Sequence, residues 1–350
     1  MRILVAMSGG VDSSVVAALL HEQGHEVIGA TLQLYDHGAA VAKKGACCAG
    51  QDIHDARNVA EHLGIPHYVL DREQRFREAV IQDFADSYAR GETPIPCIRC
   101  NQTVKFHDLT LLAHDLGCDM LATGHYARRL DGPALHMAVD PSRDQSYFLA
   151  HTTRAQLART LFPLGDMTSK AEVRAHAARL GVAVADKPDS QDICFVPAGS
   201  YAEVVGRFRP EALEPGEIVD TAGKVLGQHR GLARYTVGQG RGLGLSRRED
   251  EEALFVAALD APRRRVVVAH RPALVSARIR VGEVNWLMEP PTGAFRCTAK
   301  LRGREMPAPM TAEWDGLELV LVPDVPGIAA PGQAAVLFQS TQVIAGGFIR

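Results

Sequence analysis

Four times in the first half of the chain a short apolar run is followed by a helical pattern that stops on glycine. The runs are Ile3–Met7, Glu26–Leu34, His67–Asp71 and Asp119–His125, and the stops are Gly24, Gly64, Gly117 and Gly181. Apolar residues recur at helical spacing in 11–24, 52–64, 104–117 and 168–182, the last with Thr168 or Ser169 as N-cap. Strands that alternate with helices cannot pair as hairpins, so the sheet must be parallel and covered on both faces. Ligands on such sheets bind beyond the carboxyl ends of the strands. After Phe208 the pattern changes to hairpins, in 216–229 with Ala222-Gly223 at the turn and in 254–269 with Ala261-Pro262 near the turn. Short alternating runs follow at 277–287, 295–304, 317–322, 333–338 and 342–349. The reading is an α/β domain over 1–208, a small β-rich domain over 209–274 and a β-barrel or sandwich over 275–350.

The chain of 350 residues is 46% hydrophobic and 23% charged, an ordinary globular balance, and its formal net charge of −3 means that a nucleic-acid partner would need a local basic patch. The start, Met1–Met7, lacks the charged and long apolar regions of a signal peptide, and no apolar run reaches membrane-spanning length. A cytoplasmic location without membrane association is expected. Seven cysteines, an odd number, read as free, catalytic or metal-binding thiols rather than disulfide staples.

The stretch Ala6–Ser14, AMSGGVDSS, joins the first strand to the first helix. Gly9 and Gly10 permit positive φ and close backbone approach; Ser8, Ser13 and Ser14 supply hydroxyls; and the helix start favours an anion. These are the needs of a phosphate site. No Lys follows the second glycine, so the loop is not of the Walker type. Asp12, being acidic, is expected to orient the loop or a Mg²⁺ ion.

Cys97 and Cys100 lie three positions apart in PIPCIRCN, read as a loop braced by Pro94 and Pro96. A structural zinc needs four ligands, and the adjacent Cys47-Cys48 is a poor second chelate. A thioredoxin-type dithiol normally opens a helix directly after a strand, whereas a proline-rich loop precedes this pair. A third possibility is a reactive thiol with a distant partner, for which Cys194, in the polar KPDSQDIC, is the candidate. Cys118 and Cys297 read as packing residues.

The loop resembles the SGGxDSS loop of the ATP pyrophosphatase (PP-loop) superfamily, whose members cleave ATP between the α and β phosphates. With TPIPCIRCNQTVKF (93–106), ATGHYAR (122–128), DQSYFL (144–149), KPDSQDICF (187–195) and TVGQGRGLGL (236–245) in fixed order, the chain resembles the tRNA-specific 2-thiouridylase family. The resemblance implies ATP-dependent 2-thiolation of the wobble uridine of tRNA (Lys, Glu and Gln type). ATP would be held by Ala6, Met7, Ser8, Gly9, Gly10, Val11, Asp12 and Ser13, with Leu32 near the adenine and the backbone of Gly124 on the nucleotide. Cys100 would be the nucleophile and Cys194 the persulfide carrier, supplied by a persulfide donor or relay protein, and the two could close a Cys100–Cys194 disulfide. Arg99 and Lys105, close in sequence, could lower the Cys100 pKa. Ile95, Pro96 and Cys97 would meet the target base, and Arg143, Asp144, Gln145, Arg302 and Gly303 would contact tRNA.

The chain departs from the family at Cys97, where many members carry an Asp with an acid/base role; that role could pass to Asp192. Three thiols at one site raise a secondary expectation of an iron–sulfur cluster on Cys97, Cys100 and Cys194. Arg296, Lys300, Arg302 and Arg304 are expected to share one face of a strand as a basic stripe. The competing readings are another PP-loop adenylating ligase, which needs no thiol pair, and a zinc-stabilised RNA-binding module without catalysis.

Overall fold

The computed structural model describes residues 1–35, 48–182, 184, 187, 193–196, 201–245 and 252–350. Cys47 and Asp192 lie outside the described residues. The chain divides into two units, the first made of Met1–Val80, Cys97–Phe195 and Ser340–Ile344, the second of Ile81–Pro96, Val196–Gln339 and Ala345–Arg350.

The first unit is built on a parallel sheet of β1 (Arg2–Ala6), β2 (Glu26–Gln33), β3 (His67–Asp71), β4 (Met120–Ala122) and β5 (Thr160–Leu161), in the order β3-β2-β1-β4-β5. The helices α1 (Val11–Glu22), α2 (Cys48–Leu63), α3 (Phe106–Asp115) and α4 (Lys170–Arg179) are those expected from the sequence. Gly24, Gly64, Gly117 and Gly181 all lie at φ between 64° and 78°, the left-handed turn that ends a helix at least cost when no Cβ is present. Ser169 caps α4 by accepting the Glu172 amide, as one of the two N-cap assignments required. α1 is rich in Val and Ser, which are indifferent helix formers. Burial holds it: Val15, Val16 and Ala17 are fully enclosed in a core shared with Ile3, Val5 and Val27.

Chain order runs outward from β1 through β2 to β3, then returns to place β4 on the other side of β1. The loops after β1 and β4 therefore leave the sheet in opposite directions and open a crevice between them. A short antiparallel hairpin, Ala127–Leu130 with Ala134–Met137, follows β4; its outer strand meets Gln342 at His136. No run of alternating residues in the sequence distinguished this hairpin.

In the second unit, Gly216–Val219 and Val225–His229 pair antiparallel, and Leu254–Asp260 pairs with Arg265–His270, as the hairpin patterns predicted. The parallel pairing of Arg265–His270 with Gly216–Val219 joins the hairpins into one four-stranded sheet. A closed six-stranded barrel follows, in the order 279–286, 319–323, 308–314, 293–300, 334–339 and 342–349, with the last strand pairing back to the first. The strand Ala308–Trp314 was not anticipated, because Pro307 and Pro309 interrupt the alternation. Strand 293–300 ends at Lys300, so the expected basic stripe does not form. Lys300 is buried, with its ammonium 5.7 Å from the centre of the Phe338 ring; Arg296 pairs with Asp324; and Arg302 and Arg304 lie in the turn beyond. Among the described residues no helix is long and apolar enough to cross a membrane.

Candidate active site

The crevice at the β1/β4 switch point is a cavity of about 500 Å³. Its walls include Ala6, Met7, Ser8, Gly10, Val11, Asp12 and Ser13 of the glycine loop, Leu32 from β2, and Gly124 after β4. Gly9 adopts φ 74°, and a Cβ there would sit 2.1 Å from the Asp52 carbonyl oxygen, so the loop passes directly over the start of α2. Gly10, by contrast, is extended and caps α1. The Ser8 amide donates to Ser13 Oγ at 3.0 Å, and the Ser14 hydroxyl donates to the Gly10 carbonyl at 2.8 Å. Thr31 on β2 donates to the Met7 carbonyl at 2.7 Å. A Cβ on Gly124 would lie 3.0 Å from the Ser13 amide nitrogen, so the two loops touch backbone to backbone at the helix start. Amides gathered at a helix N-terminus make an anion seat.

Three groups hold this loop that the sequence reading did not single out. Lys170, the first residue of α4, reaches both carboxylate oxygens of Asp12 at 2.7 and 2.9 Å, and the Tyr126 hydroxyl donates to the same carboxylate at 2.7 Å. Lys187 donates to the Gly9 carbonyl at 3.0 Å while pairing with Asp52 and Asp55 at 2.7 and 2.5 Å. Asp12 thus orients the loop through an ion pair. The available signal was the placement of Lys187 inside KPDSQDIC and of Lys170 directly after the Ser169 cap.

The sulfur groups come together around Lys105. Cys97 and Cys100 occupy a helical turn, Pro96–Cys100, that continues through a π-helical segment, Asn101–Lys105, into α3. Pro96 therefore starts a helix instead of bracing a loop, because Pro is well suited to a first helical position, whereas Pro94 stays in the loop before it. The π segment widens the turn between Cys100 and Lys105, a distortion frequent at functional sites. Cys100 is buried, whereas Cys97 and Cys194 have accessible surface and sit in recesses. Burial pushes the Cys100 thiol up to about 12; Lys105 opposes this, and the proximity of Cys194 and Cys97 adds to it. Burial likewise raises Cys97 and Cys194 against the pull of Lys105, and a hydrogen bond with Tyr35 lowers Cys194. Burial works to lower Lys105, but the three thiols outweigh it, and the ammonium is held above its usual range. Cys100 and Cys194 each lie within electrostatic reach of Lys105. Both Cys194 and Lys105 line the cavity that the glycine loop walls. Removing the ammonium with Lys105→Met should slow alkylation of Cys97 and Cys194 near pH 8 roughly tenfold. Site-resolved mass spectrometry of iodoacetamide labelling measures this, and an unchanged rate would refute a thiolate-stabilising Lys105.

Beside this centre, His125 stacks on Phe106 and meets Gln145 Oε1 at 3.2 Å. Burial, aided by Lys105, drives its pKa down to about 3, so the ring is neutral across the working range. The unfolded chain protonates near its ordinary value while the folded chain does not. Stability attached to His125 is therefore complete above that ordinary value and is lost as pH falls below it. The loss should approach roughly 1 kcal/mol per pH unit between neutrality and pH 5. Urea titrations of the wild type and His125→Phe at both pH values should differ by this amount.

The other expected residues fall in two places. Gln145 accepts the Tyr126 amide and lines the cavity with Arg143, whereas Asp144 accepts from the Ala138 and Ser146 amides and the Ser146 hydroxyl, holding its own turn. Cys97 belongs to the first unit, while Ile95, Pro96, Arg302 and Gly303 belong to the second. There Arg302 pairs with Glu305 and lies against Gly238, where a Cβ would be 3.0 Å from its guanidinium. TVGQGRGLGL and the Arg302 turn are therefore neighbours within that unit. Cys118 and Cys297 are buried, as the packing reading required.

Residues 1–198 match the family described as tRNA methyl transferase HUP domain, 203–270 the tRNA methyl transferase PRC-barrel domain, and 276–349 the aminomethyltransferase beta-barrel domain. The chain is 59% identical over 352 residues to a tRNA-specific 2-thiouridylase MnmA of Acidiphilium cryptum, covering all of both chains. It is 59% identical over 358 residues to one from Rhodospirillum centenum, covering 99% of this chain and 91% of the relative. The chain belongs to the tRNA-specific 2-thiouridylase family. Among solved structures, a 4-thiouridine synthetase–RNA complex with bound ATP is similar at TM-score 0.37 and 16% identity, over 60% of this chain and 50% of that one.

The thiouridylase fold is thus a HUP domain with the parallel sheet, a PRC-barrel domain and a closed six-stranded barrel. Among the described residues no group of three or more His, Cys, Asp or Glu side chains is gathered closely enough to hold a metal ion. Cys97, Cys100 and Cys194 converge on Lys105 without forming a ligand set. The iron–sulfur expectation therefore does not fit this arrangement.

Proposed function

We propose that this protein catalyses ATP-dependent 2-thiolation of the wobble uridine in the cytoplasm. A single observation carries the reading: one cavity is walled by both an anion-seating glycine loop and a cysteine, Cys194. An adenylating ligase that uses no sulfur has no need of that thiol or of the Lys105 centre behind it.

The loop amides and Ser8 would bind the phosphates of ATP, with Leu32 against the adenine and Gly124 allowing close approach. Mg²⁺, carried mainly by the phosphates, would neutralise charge on the leaving pyrophosphate. The uracil O2 attacks the α-phosphate, pyrophosphate departs, and O2 becomes part of an AMP leaving group. The outer sulfur of a Cys194 persulfide then forms a bond to C2, and AMP leaves. Cys100 attacks the inner sulfur, the persulfide S–S bond breaks with its electron pair left on the sulfur of the 2-thiouridine, and the Cys100–Cys194 disulfide forms. Lys105 would favour the thiolates this reaction requires, opposing the burial that raises Cys100. Cys97, also raised by burial, would carry its proton at rest, unlike the carboxylate of other family members. Arg143, Gln145, Arg302 and Gly303 would contact tRNA of the Lys, Glu and Gln type; Asp144 would shape that surface through its turn. Ile95, Pro96 and Cys97 would meet the flipped base. A persulfide-bearing protein would supply the sulfur.

Incubating unmodified tRNA with the protein, ATP and a persulfide donor should exchange one oxygen for sulfur at the wobble uridine, read by nucleoside mass spectrometry. Pyrophosphate release without sulfur incorporation would instead favour a different adenylating reaction.

A further inference from the structure

The C-x-x-C pair has the asymmetry of a working dithiol. Cys97 is accessible in the first turn of its helix, and Cys100, one turn on, is buried. Residues three apart on a helix bring their Cβ atoms to about 5–6 Å. A disulfide needs about 3.5–4.5 Å, so the turn must tighten. A 3₁₀ turn eclipses residues i and i+3, and helix starts adopt it readily. This turn is bounded by Pro96 at one side and the π segment Asn101–Lys105 at the other, so few regular α-helical hydrogen bonds resist the change. Lys105 reaches all three sulfurs electrostatically, so whichever thiolate leaves is stabilised. An aspartate at 97 could do none of this.

We propose that Cys97 is a resolving thiol, which moves the disulfide formed at the end of a turnover from Cys100–Cys194 to Cys97–Cys100. This rests on the thiolation reading. The Cys97 thiolate attacks the Cys100 sulfur; the Cys97–Cys100 bond forms and the Cys100–Cys194 bond breaks. The electron pair leaves on the Cys194 sulfur, which takes up the proton Cys97 gave up. The exchange involves no net oxidation or reduction. It frees Cys194 to accept a new persulfide and leaves the oxidised pair with one accessible sulfur, Cys97, where an external dithiol can reduce it.

Trypsin cuts after Arg99 and so places Cys97 and Cys100 on different peptides. The first test uses the full-length Cys194→Ser protein without tRNA, oxidised by diamide, alkylated under denaturing conditions and digested without reduction. A Cys97–Cys100-linked peptide pair is expected as the main disulfide. Recovery of both cysteines alkylated, or linked to other cysteines, would overturn the proposal whether or not the enzyme thiolates tRNA. The second test maps the wild type and Cys97→Ser after turnover with persulfide and no reductant. The wild type should accumulate Cys97–Cys100 severalfold over Cys100–Cys194, and Cys97→Ser should accumulate only Cys100–Cys194. Predominance of Cys100–Cys194 in the wild type would also overturn it. Absence of any thiolated tRNA in the same wild-type reaction would instead count against the thiolation reading. Circular dichroism of each variant guards against misfolding, and Cys97→Asp gives a second variant that lacks the thiol.

Discussion

Cys194→Ser should reduce sulfur incorporation into tRNA by about 10³-fold or more, as loss of a covalent participant does. A serine hydroxyl has nearly the size of the thiol but cannot carry a sulfane sulfur, so the loss is chemical and not structural. Cys194 lines the cavity but is not part of the glycine loop, and ATP affinity should change by less than about threefold. Cys100→Ser should fail by a comparable factor at a different point. Cys194 can still accept sulfur there and bond it to C2, so with tRNA and ATP the uridine should stay disulfide-linked to Cys194, and with tRNA omitted the persulfide should persist, detectable as a mass increase on the peptide ending at Phe195 after chymotryptic digestion. Accumulation in Cys194→Ser and not in Cys100→Ser would reverse the two roles. Nucleoside mass spectrometry and peptide mapping of the same reactions separate these outcomes.

Gly9→Ala should be the most damaging single methyl in the nucleotide cradle. Its φ of 74° costs a side-chain-bearing residue about 1–2 kcal/mol. The added Cβ would also meet the Asp52 carbonyl at 2.1 Å, which is backbone and cannot rotate away. Either the loop or the start of α2 must shift, and Lys187, which ties Gly9 to Asp52 and Asp55, shifts with them. ATP affinity should fall by about 10²-fold, since a misplacement near 1 Å has that effect on a positioned site. Gly10→Ala is the control. Its backbone is extended and the nearest atom to a new Cβ is Ser8 Oγ at 3.6 Å, so thermal stability should change little. Equal loss of ATP binding in both variants would contradict the geometry. Isothermal titration with ATP and thermal melts distinguish the two.

Much of the fold was legible because its signals are local. Helix stops at Gly24, Gly64, Gly117 and Gly181 require left-handed backbone, and the strands between them are short apolar runs that only a covered parallel sheet can bury. The glycine loop was legible for the same reason: Gly9 and the three serines act within a few residues of one another. Strand Ala308–Trp314 was missed because its prolines mask the alternation, and the basic stripe failed because a strand's end depends on its partners. Lys300 had to turn inward once the barrel closed over Phe338.

The sequence by itself determined the βα order, the phosphate loop, the β-rich C-terminal half and the cysteines available for chemistry, since each is written in spacing or residue type. Tertiary structure decided which lysine serves which acid. Lys170 on Asp12, Lys187 on Gly9 and Asp52, and Lys105 among three sulfurs are separated from their partners by up to 178 positions, and no local pattern encodes such pairings. It also decided that Cys97 is accessible while Cys100 is buried, because burial is a property of what packs around a helix and not of the four residues that form its turn.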